Sequence, residues 1–419
     1  MKAIFLLLGV VLAAALVALP VFSDLGTLNL VIKIMIAAIF ALGFNLLWGQ
    51  TGLPSFGHAA YYGIGTFATI YMMDAIDHGG AFPTPLLPLV GAAGGFIFGL
   101  VAGWFATIRS GVYFAMITVA LAELVSAIAF KWEGVFGGEA GVRSIRTDWG
   151  PVGFQSTASV YWLTLVWMLL VMAFLFALQR SPFGLLVRGI RERELRVRFL
   201  GYDTHRVKTL VFAISAAVSG LAGGLLAISD ESASMVLFQG SGSAFVVLNT
   251  VIGGAGVFLG PVIGAALTTS FAYFGANLSH FWMLYLGIAF VVTVMYAPQG
   301  IGGAIMQRVR AVRAGEARPV EAGDVLGVFA FGLIFVSLVI FIEITGTICS
   351  EQYRAEVVAA NGVWAPVSLF GCDFNPLSPL PWLMATALFA AGIGIILTHS
   401  RLRRPKLLDL VTVKAGVGQ

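Results

Sequence analysis

The chain has 419 residues, of which 59% are hydrophobic and 11% are charged, and its mean hydropathy is +0.95. This composition excludes a large soluble protein and indicates a polytopic membrane protein. The net charge of +4 and the pI of about 9.1 do not predict a nucleic-acid partner, because the basic residues lie in loops beside apolar runs, where membrane topology explains them. Two cysteines allow at most one disulfide, and no cysteine–histidine cluster predicts a metal site.

The first apolar run, Met1 to Phe22, is predicted to be a retained membrane span. A cleaved signal peptide is the alternative, but a run of roughly 20 residues is long for a signal core. The second span runs from Leu28 to Trp48 and contains Lys33 near its outer end. The long side chain of Lys33 is expected to reach the membrane interface and to have no role in transport.

A break rich in glycine and proline, Gly49 to Gly57, follows the second span. Irregular backbone at membrane depth is tolerated only where it is buried in protein or lines a cavity, so this break is expected to border the translocation pathway. His58 opens the third span, and a lone histidine in such a place is more often a hydrogen-bonded packing residue than a ligand. Both interpretations stay open. The pathway candidates in this stretch are Gly52, Pro54, Phe56 and His58.

Two further spans, Leu86 to Ile108 and Val112 to Phe130, precede a segment predicted to be external, Lys131 to Val160. Glu123 lies well within the second of these spans. A carboxylate inside the membrane is costly and usually faces a cavity or a partner, so Glu123 is a further pathway candidate. An interhelical hydrogen bond that satisfies the carboxylate is an equally good explanation.

The most polar stretch, Gln179 to Lys208, contains eight of the 24 lysines and arginines and lies between two apolar runs. The positive-inside rule therefore predicts that it is cytoplasmic. A capped start at Ser181-Pro182, a stop at Gly201 and apolar residues at helical spacing predict an amphipathic helix within Ser181–Leu200. Such a helix must dock on something. Lipid headgroups are one possibility, and the groove of a partner protein is favoured.

The second half of the chain continues the alternation of spans and loops. Glycines and a proline break the apolar run Ser241 to Gly264, which is therefore expected to be a broken helix beside the pathway. The candidates in this second break are Gly253, Gly254, Gly256 and Pro261. Counted from a cytoplasmic N-terminus, ten spans are predicted up to about residue 303 and two beyond it, with a cytoplasmic C-terminus. All three basic clusters then lie on the same side of the membrane.

Three stretches, in this order, resemble the permease subunits of branched-chain amino-acid ABC importers. They are Gly49 to Ala59 (GQTGLPSFGHA), the basic stretch with SPFG, RGIRERE and LGY followed by KTLVFAISAAVSGLAGG, and Val251 to Ala265 (VIGGAGVFLGPVIGA). The resemblance extends from about residue 28 to 303. Residues 304–419 match nothing in the usual pattern of the family.

The resemblance implies an importer subunit of the bacterial inner membrane that moves branched-chain or other hydrophobic amino acids, or related small amides or acids. The implied partners are a second related permease, two cytoplasmic ATPase subunits that bind ATP and Mg, and a periplasmic or lipid-anchored substrate-binding protein. The chain has no phosphate-binding loop with a Gly-Lys dipeptide and no H-E-x-x-H or G-x-S-x-G sequence, so an enzyme of these kinds is not predicted. An ion-coupled secondary transporter is the alternative, although only Glu123 and Glu343 offer midmembrane carboxylates.

The predicted fold is an all-α transmembrane bundle in four parts. Residues 1–303 form the permease domain, 304–324 a basic cytoplasmic linker, 325–398 an extra helical hairpin with an external loop, and 399–419 a basic cytoplasmic tail. In the basic helix, Phe183, Leu186 and Ile190 are expected to enter an ATPase groove, with charged residues at its rim. The full set of coupling candidates is Ser181, Pro182, Phe183, Gly184, Leu186, Arg188, Ile190, Arg191, Glu192, Glu194 and Gly201.

Both cysteines, Cys349 and Cys372, lie in the loop that the charge pattern places outside. A periplasmic compartment permits disulfides, so a Cys349–Cys372 bond is predicted, with two free cysteines as the alternative. Closing a loop of this length would stabilise it by roughly 3 kcal/mol in the chain-entropy model.

Overall fold

Helices make up nearly all of the regular structure of the described chain. The computed structural model describes residues 16–20, 22–149, 153–279, 281–297, 299–314, 322–359, 364, 367–369, 372–375, 378–395 and 397. The helices are α1 Leu25–Asn45, α2 His58–Asp77, α3 Leu87–Ala106, α4 Val112–Lys131, α5 Thr157–Arg180, α6 Pro182–Phe199, α7 Thr204–Asp230, α8 Gly240–Gly253, α9 Gly260–Leu278, α10 Trp282–Tyr296, α11 Gly300–Ala314, α12 Ala322–Cys349, α13 Glu351–Ala359 and α14 Pro379–Ile395.

Short elements complete the fold. A π-helical segment, Leu46–Gln50, continues α1, and single turns of helix lie at Thr84–Leu86, Glu133–Phe136, Gly138–Ala140 and Met235–Phe238. Strand β1, Val142–Arg143, pairs antiparallel with β2, Ser232–Ala233, and β3, Val367–Leu369, pairs antiparallel with β4, Cys372–Phe374.

Seven helical stretches of the described chain are long and apolar enough to cross a membrane. The polytopic helical bundle is therefore confirmed, although twelve spans were predicted. α8 and α14 are apolar but short, and α2 carries His58, Asp74 and Asp77 along its length. Most of the predicted first span, Met1 to Phe22, lies outside the described residues.

Helix α7 is the centre of the first of two units, which comprises residues 1–273 and 288–308. It contacts α1, α2 and α3 along its length. Its sequence from Ser215 to Gly224 consists mostly of serine, alanine and glycine, and small side chains allow neighbouring helix backbones to approach closely. α7 is consequently buried over most of its length.

A glycine seam on α3 makes a close contact with α7. It consists of Gly91, Gly95, Gly99 and Gly103, which recur every four residues and therefore share one helix face. A Cβ atom at Gly95 would lie 2.4 Å from the carbonyl oxygen of Ala216 in α7. No side chain larger than hydrogen fits there without displacing backbone.

Lys33 of α1 forms an ion pair with Asp230 at the end of α7. The carboxylate of Asp230 thus holds the ammonium group of Lys33, and the expectation that this side chain reaches the membrane interface stays a prediction. Next to this pair, Arg146 Nε lies 2.8 Å from Glu231 Oε1, and the β1–β2 pairing ties the segment after α4 to the same end of α7.

The second unit comprises residues 274–287 and 309–419. Its helices α12 and α14 form a hairpin, in which Ser337 donates a hydrogen bond of 2.6 Å to the carbonyl oxygen of Ala385. Glu343 of α12 is 9% exposed and accepts hydrogen bonds from the hydroxyl groups of Ser279 and, at 2.7 Å, of Tyr285. The segment Phe274–Gly287 thus packs with the C-terminal hairpin.

Candidate functional site

The basic helix predicted within Ser181–Leu200 is present as α6, and its local sequence explains its ends. The Ser181 hydroxyl accepts a hydrogen bond of 3.3 Å from the backbone N–H of Gly184, and Pro182 occupies the first turn, where its missing N–H costs nothing. After α6, Gly201 adopts a positive φ of 90°. Asp203 then caps α7 by accepting from the N–H groups of His205 and Arg206.

α6 is not one straight helix. Arg193 has an extended backbone conformation, with φ −156° and ψ 99°, although no glycine or proline lies there. The chain therefore changes direction at Arg193, and α6 consists of a first arm, 182–192, and a second arm, 194–199. The two arms contact different parts of the first unit.

The first arm contacts the break after α1. The guanidinium group of Arg191 donates a hydrogen bond to the carbonyl oxygen of Gly49 in the π-helical segment. The aliphatic part of the same side chain lies against Gly52, where a Cβ atom would be 3.1 Å from Arg191 Cγ. Arg188, in contrast, bonds the carbonyl oxygen of Gly184 in the first turn of its own helix and that of Gln179 in the last turn of α5.

The second arm contacts α7 through Glu194. The Nζ atom of Lys208 lies 2.9 Å from Glu194 Oε1, and the hydroxyl groups of Thr204 and Ser110 donate to the same carboxylate at 2.9 and 3.3 Å. Burial alone would raise the pKa of this carboxyl. The hydrogen bonds from Lys208, Thr204 and Ser110, with the charge of Lys208, outweigh burial and lower the pKa of Glu194 below its ordinary value.

The apolar residues of α6 are distributed differently from the prediction that Phe183, Leu186 and Ile190 are free to enter a partner. Ile190 is only 6% exposed, and Phe183 packs partly buried against the core of this chain. The exposed apolar side chains of the segment are Leu185, Leu195, Phe199, Leu200 and Tyr202. We define Leu195, Phe199 and Leu200 as the apolar patch of the second arm.

The first break, Gly49 to Gly57, is followed by His58, which lies in a closed hydrogen-bond network. His58 is fully buried, with Nδ1 at 2.9 Å from the Ser55 hydroxyl and Nε2 at 2.8 Å from the Ser215 hydroxyl. The Ser215 hydroxyl donates its one proton to the carbonyl oxygen of Gly43 at 2.6 Å, so it accepts from Nε2–H of His58. His58 has the environment of a packing residue, the commoner of the two interpretations.

The same break contacts two more helices. The backbone N–H of Phe56 donates to the Thr118 hydroxyl of α4 at 3.2 Å, and the N–H of Ala59 donates to the Ser243 hydroxyl of α8 at 3.0 Å. Phe56 is 44% exposed. Of the candidates in this break, Gly52 and Phe56 are exposed, Pro54 is half-buried and His58 is enclosed.

The second break, Gly254 to Leu259, separates α8 from α9 as predicted for a broken helix. Gly253, Gly254 and Pro261 are buried, whereas Gly256 is exposed. Gly254 has a φ of 101°, and a Cβ atom on it would lie 2.3 Å from the carbonyl oxygen of Gln299. Gly253, Gly254 and Pro261 therefore pack within the protein. That this break borders the pathway stays a prediction.

Glu123 lies about halfway along α4 with an exposed side chain. Its carboxylate is close to the start of α8, since a Cβ atom at Gly240 would be 3.7 Å from Glu123 Oε1. No charged side chain of the described chain forms an ion pair with it. For Glu123, the alternative to a pathway role is a hydrogen bond to another helix that satisfies the carboxylate. Such hydrogen bonds are present at Glu343.

A cavity of about 480 Å³ opens between α3, α5 and α7, away from both breaks. Its lining is apolar and includes Phe96, Trp167 and Leu221. Such a surface suits a hydrocarbon chain but offers no partner for a charged solute, so we do not assign it to the pathway.

The predicted disulfide involves residues of the second unit. Cys349, the last residue of α12, is exposed with a free thiol. The side chain of Cys372 lies outside the described residues. The Cys349–Cys372 bond therefore stays a prediction, which mass spectrometry of the unreduced protein would test.

Comparisons with known proteins agree with these features. Residues 26–294 match the family model of the permease component of branched-chain amino acid transport systems. The LivM permease proteins of the high-affinity branched-chain amino acid transport systems of Escherichia coli and Salmonella typhimurium are 30% and 29% identical to this chain. They align over 71% and 68% of it and over 74% and 72% of their own lengths. The LivH permease protein of Salmonella typhimurium is 27% identical over 45% of this chain and 65% of its own length.

No solved structure matches the chain significantly. The family match includes α6, both breaks and the central helix α7, and it ends before the C-terminal hairpin. With seven apolar helices of spanning length in its described part, this multi-pass membrane protein belongs to the family of branched-chain amino acid transport permeases.

Proposed function

We propose that this chain is the permease subunit of an ATP-driven importer in a bacterial inner membrane. Its cargo is a branched-chain or other hydrophobic amino acid, or a related small amide or acid. The observation that carries the proposal is the arrangement of α6, a basic helix that bonds directly to the first break through Arg191. Separate ATPase subunits, with their ATP and Mg, supply the energy, and the chain itself is not an enzyme.

The ATPases dock on α6 from the cytoplasm, on the side that the basic clusters mark. Because Ile190 is buried, we propose the apolar patch of the second arm, where Phe199 is 88% and Leu200 is 70% exposed, as the docking surface in place of the predicted set. Large apolar side chains outside a membrane require a cover. Central apolar anchors usually carry most of the energy of such an interface, and charged residues at the rim carry little.

The second permease subunit and a periplasmic or lipid-anchored binding protein complete the importer. The LivM and LivH relatives are both permease proteins of the same kind of transport system, which supports a partner related to this chain. Glu123 is an exposed carboxylate about halfway along α4, and we propose that it borders the pathway. A carboxylate there needs water, a partner or a cationic solute.

The alternative, an ion-coupled secondary transporter, has less support. Such a transporter needs carboxylates that gain and lose a proton or cation near midmembrane. Glu343 is engaged by two hydroxyl groups, which is the environment of a packing residue. Of the two carboxylates considered for this role, only Glu123 has an exposed side chain.

Uptake by proteoliposomes tests the two functions against each other. The chain is reconstituted with the second permease and ATPases expressed from the same operon, and radiolabelled leucine is supplied with the binding protein. The importer inserts into the vesicles in both orientations, and ATP enclosed in the vesicles is available to the complexes whose ATPases face inward. We expect this ATP to drive leucine uptake only when the ATPases are present. Uptake by this chain alone under a proton or sodium gradient, without ATPases, would establish the secondary transporter instead.

A further inference from the structure

Arg191 is the side chain of α6 that reaches the break between α1 and α2. Its guanidinium donates to the carbonyl oxygen of Gly49, and its aliphatic part contacts Gly52. The two glycines lie on opposite sides of the point where the π-helical segment ends and the irregular backbone begins. A displacement of the first arm of α6 therefore acts directly on this point.

The break distributes such a displacement to several helices. Phe56 bonds α4 through Thr118, and Ala59 bonds α8 through Ser243. Gly49 also lies against the second break, since a Cβ atom on it would be 2.5 Å from the carbonyl oxygen of Ala255. The two irregular segments of the first unit thus touch at the residue that Arg191 binds.

The local structure at this point is suited to rearrangement. A π-helical segment departs from α-helical hydrogen bonding, and such segments are frequent at functional sites. Gly52 has a positive φ of 75°. Asn45, 1% exposed at the end of α1, has a side-chain oxygen without a hydrogen-bond partner among the described residues. A buried oxygen without a hydrogen-bond partner destabilises this conformation of the break. It favours any other conformation in which the oxygen accepts a hydrogen bond.

The other polar side chains of α6 do not make this connection. Arg188 bonds carbonyl groups in its own first turn and at the end of α5, and Glu194 binds Lys208 in α7. The extended backbone at Arg193 separates Glu194 from the first arm. The second arm is thus attached to the central helix, and the first arm is attached to the break.

We propose that Arg191 is a positioning residue that transmits movement of α6, through its bond to Gly49, to the break Gly49–Gly57, whose exposed residue Phe56 is predicted to border the pathway. This inference rests on the proposed function, since it needs ATPases that move α6. It assigns Arg191 a bond within this chain in place of the expected contact at the ATPase rim.

The test uses the complete importer in proteoliposomes, with ATP hydrolysis and leucine uptake measured on the same preparation. Arg191→Gln is expected to retain the ATPases and to hydrolyse ATP, while the ratio of leucine transported to ATP hydrolysed falls by about tenfold or more, the effect of losing a hydrogen bond to a charged group. Arg191→Lys keeps a donor for Gly49 and is expected to restore part of the ratio. Arg206→Gln, at an exposed arginine of α7 outside the proposed docking surface, is the matched control and leaves the ratio unchanged.

A second readout separates transmission from simple loss of stability. A cysteine at Phe56, in a chain whose Cys349 and Cys372 are replaced by serine, is labelled with a thiol reagent with and without a non-hydrolysable ATP analogue. Labelling is expected to change with nucleotide in the parent chain and to become independent of nucleotide in Arg191→Gln.

Two outcomes overturn the inference alone: an Arg191→Gln importer with the parent ratio of leucine to ATP, or nucleotide-dependent labelling that persists in it. If the unsubstituted complex shows no ATP-dependent uptake, the proposed function fails and this inference fails with it.

Discussion

The ammonium group of Lys208 lies 2.9 Å from Oε1 of Glu194, with only 4% of the lysine side chain and 25% of the glutamate side chain exposed. This pair attaches the second arm of α6 to the central helix. The folded-state pKa of Glu194 is lower than its ordinary value of 4.5. Ionised Glu194 therefore stabilises the fold above that pH, and the contribution is lost as the pH falls through the folded-state pKa.

We expect Glu194→Gln to lower the free energy of unfolding by about 1.5–3 kcal/mol at pH 7, the usual range for hydrogen bonds to a charged group. The difference from the parent chain should shrink as the pH is lowered below 4.5. Thermal unfolding in detergent from pH 7 to pH 3 measures it. Arg206→Gln removes the exposed ion pair with Asp203 and should change stability little at any pH. A constant difference over the whole range would contradict the assigned pKa.

The glycine seam of α3 predicts that Gly95 cannot be replaced without loss of stability, and the neighbouring residue Gly94 is the control. Gly95→Ala places a methyl group 2.4 Å from the Ala216 carbonyl oxygen, so we expect it to destabilise the bundle by about 1–3 kcal/mol. Gly94→Ala places the same group 3.3 Å from the Ala68 side chain, which is tight but can relax. Thermal unfolding of both variants should rank Gly95→Ala clearly below Gly94→Ala. Equal losses would mean that α3 and α7 do not pack through this seam.

The apolar patch of the second arm predicts where the ATPases bind. We expect Phe199→Ala to weaken the association of the ATPases by at least roughly fivefold, since truncation of an aromatic anchor at an interface costs more than about 1 kcal/mol. Phe98 of α3, 52% exposed in a spanning helix, is the control, and Phe98→Ala should leave association unchanged. Co-purification over a dilution series measures the affinity. If Phe199→Ala bound the ATPases as tightly as the parent chain, the docking surface would have to lie on the first arm instead.

If Glu123 borders the pathway, its charge should affect the uptake of an amino acid. An exposed carboxylate at midmembrane attracts the ammonium group of an amino acid, and Glu123→Gln removes that attraction at nearly constant shape. We expect uptake of leucine to fall by about tenfold, equivalent to 1.4 kcal/mol, with ATPase association unchanged. Glu139→Gln, at an exposed glutamate after α4, should have no effect. Unaltered leucine uptake in Glu123→Gln would exclude Glu123 from the pathway.

The ends of α6 and the two breaks could be predicted from sequence because short-range chemistry determines them. Ser181, Pro182 and Gly201 act within a few residues of their positions. The face that α6 turns toward a partner could not be predicted in this way. Phe183 and Ile190 do share an apolar face, but that face packs against this chain, and periodicity does not distinguish packing within a chain from packing between chains.

Contacts between distant parts of the chain were also beyond prediction from one sequence. Arg191 and Gly49 are 142 positions apart, and either residue alone is unremarkable in its surroundings. The extended backbone at Arg193 occurs without glycine or proline, so no residue there signals it. The ion pair of Lys33 with Asp230 likewise joins residues that are 197 positions apart. The seam of Gly91, Gly95, Gly99 and Gly103 is different, because its four-residue period is visible in the sequence and predicts close helix contact.

That seam has a consequence for the order of events during synthesis. The face of α3 that carries Gly91 and Gly95 has no side chains with which to bind lipid or a temporary neighbour, and its partner α7 begins about 100 residues after α3 ends. At translation rates of about 5 to 20 residues per second, α3 exists in the membrane for on the order of 5 to 20 seconds before α7 emerges. During that interval the glycine face of α3 lacks the partner that covers it in the folded protein, so α3 must wait in the membrane for a helix that is made later.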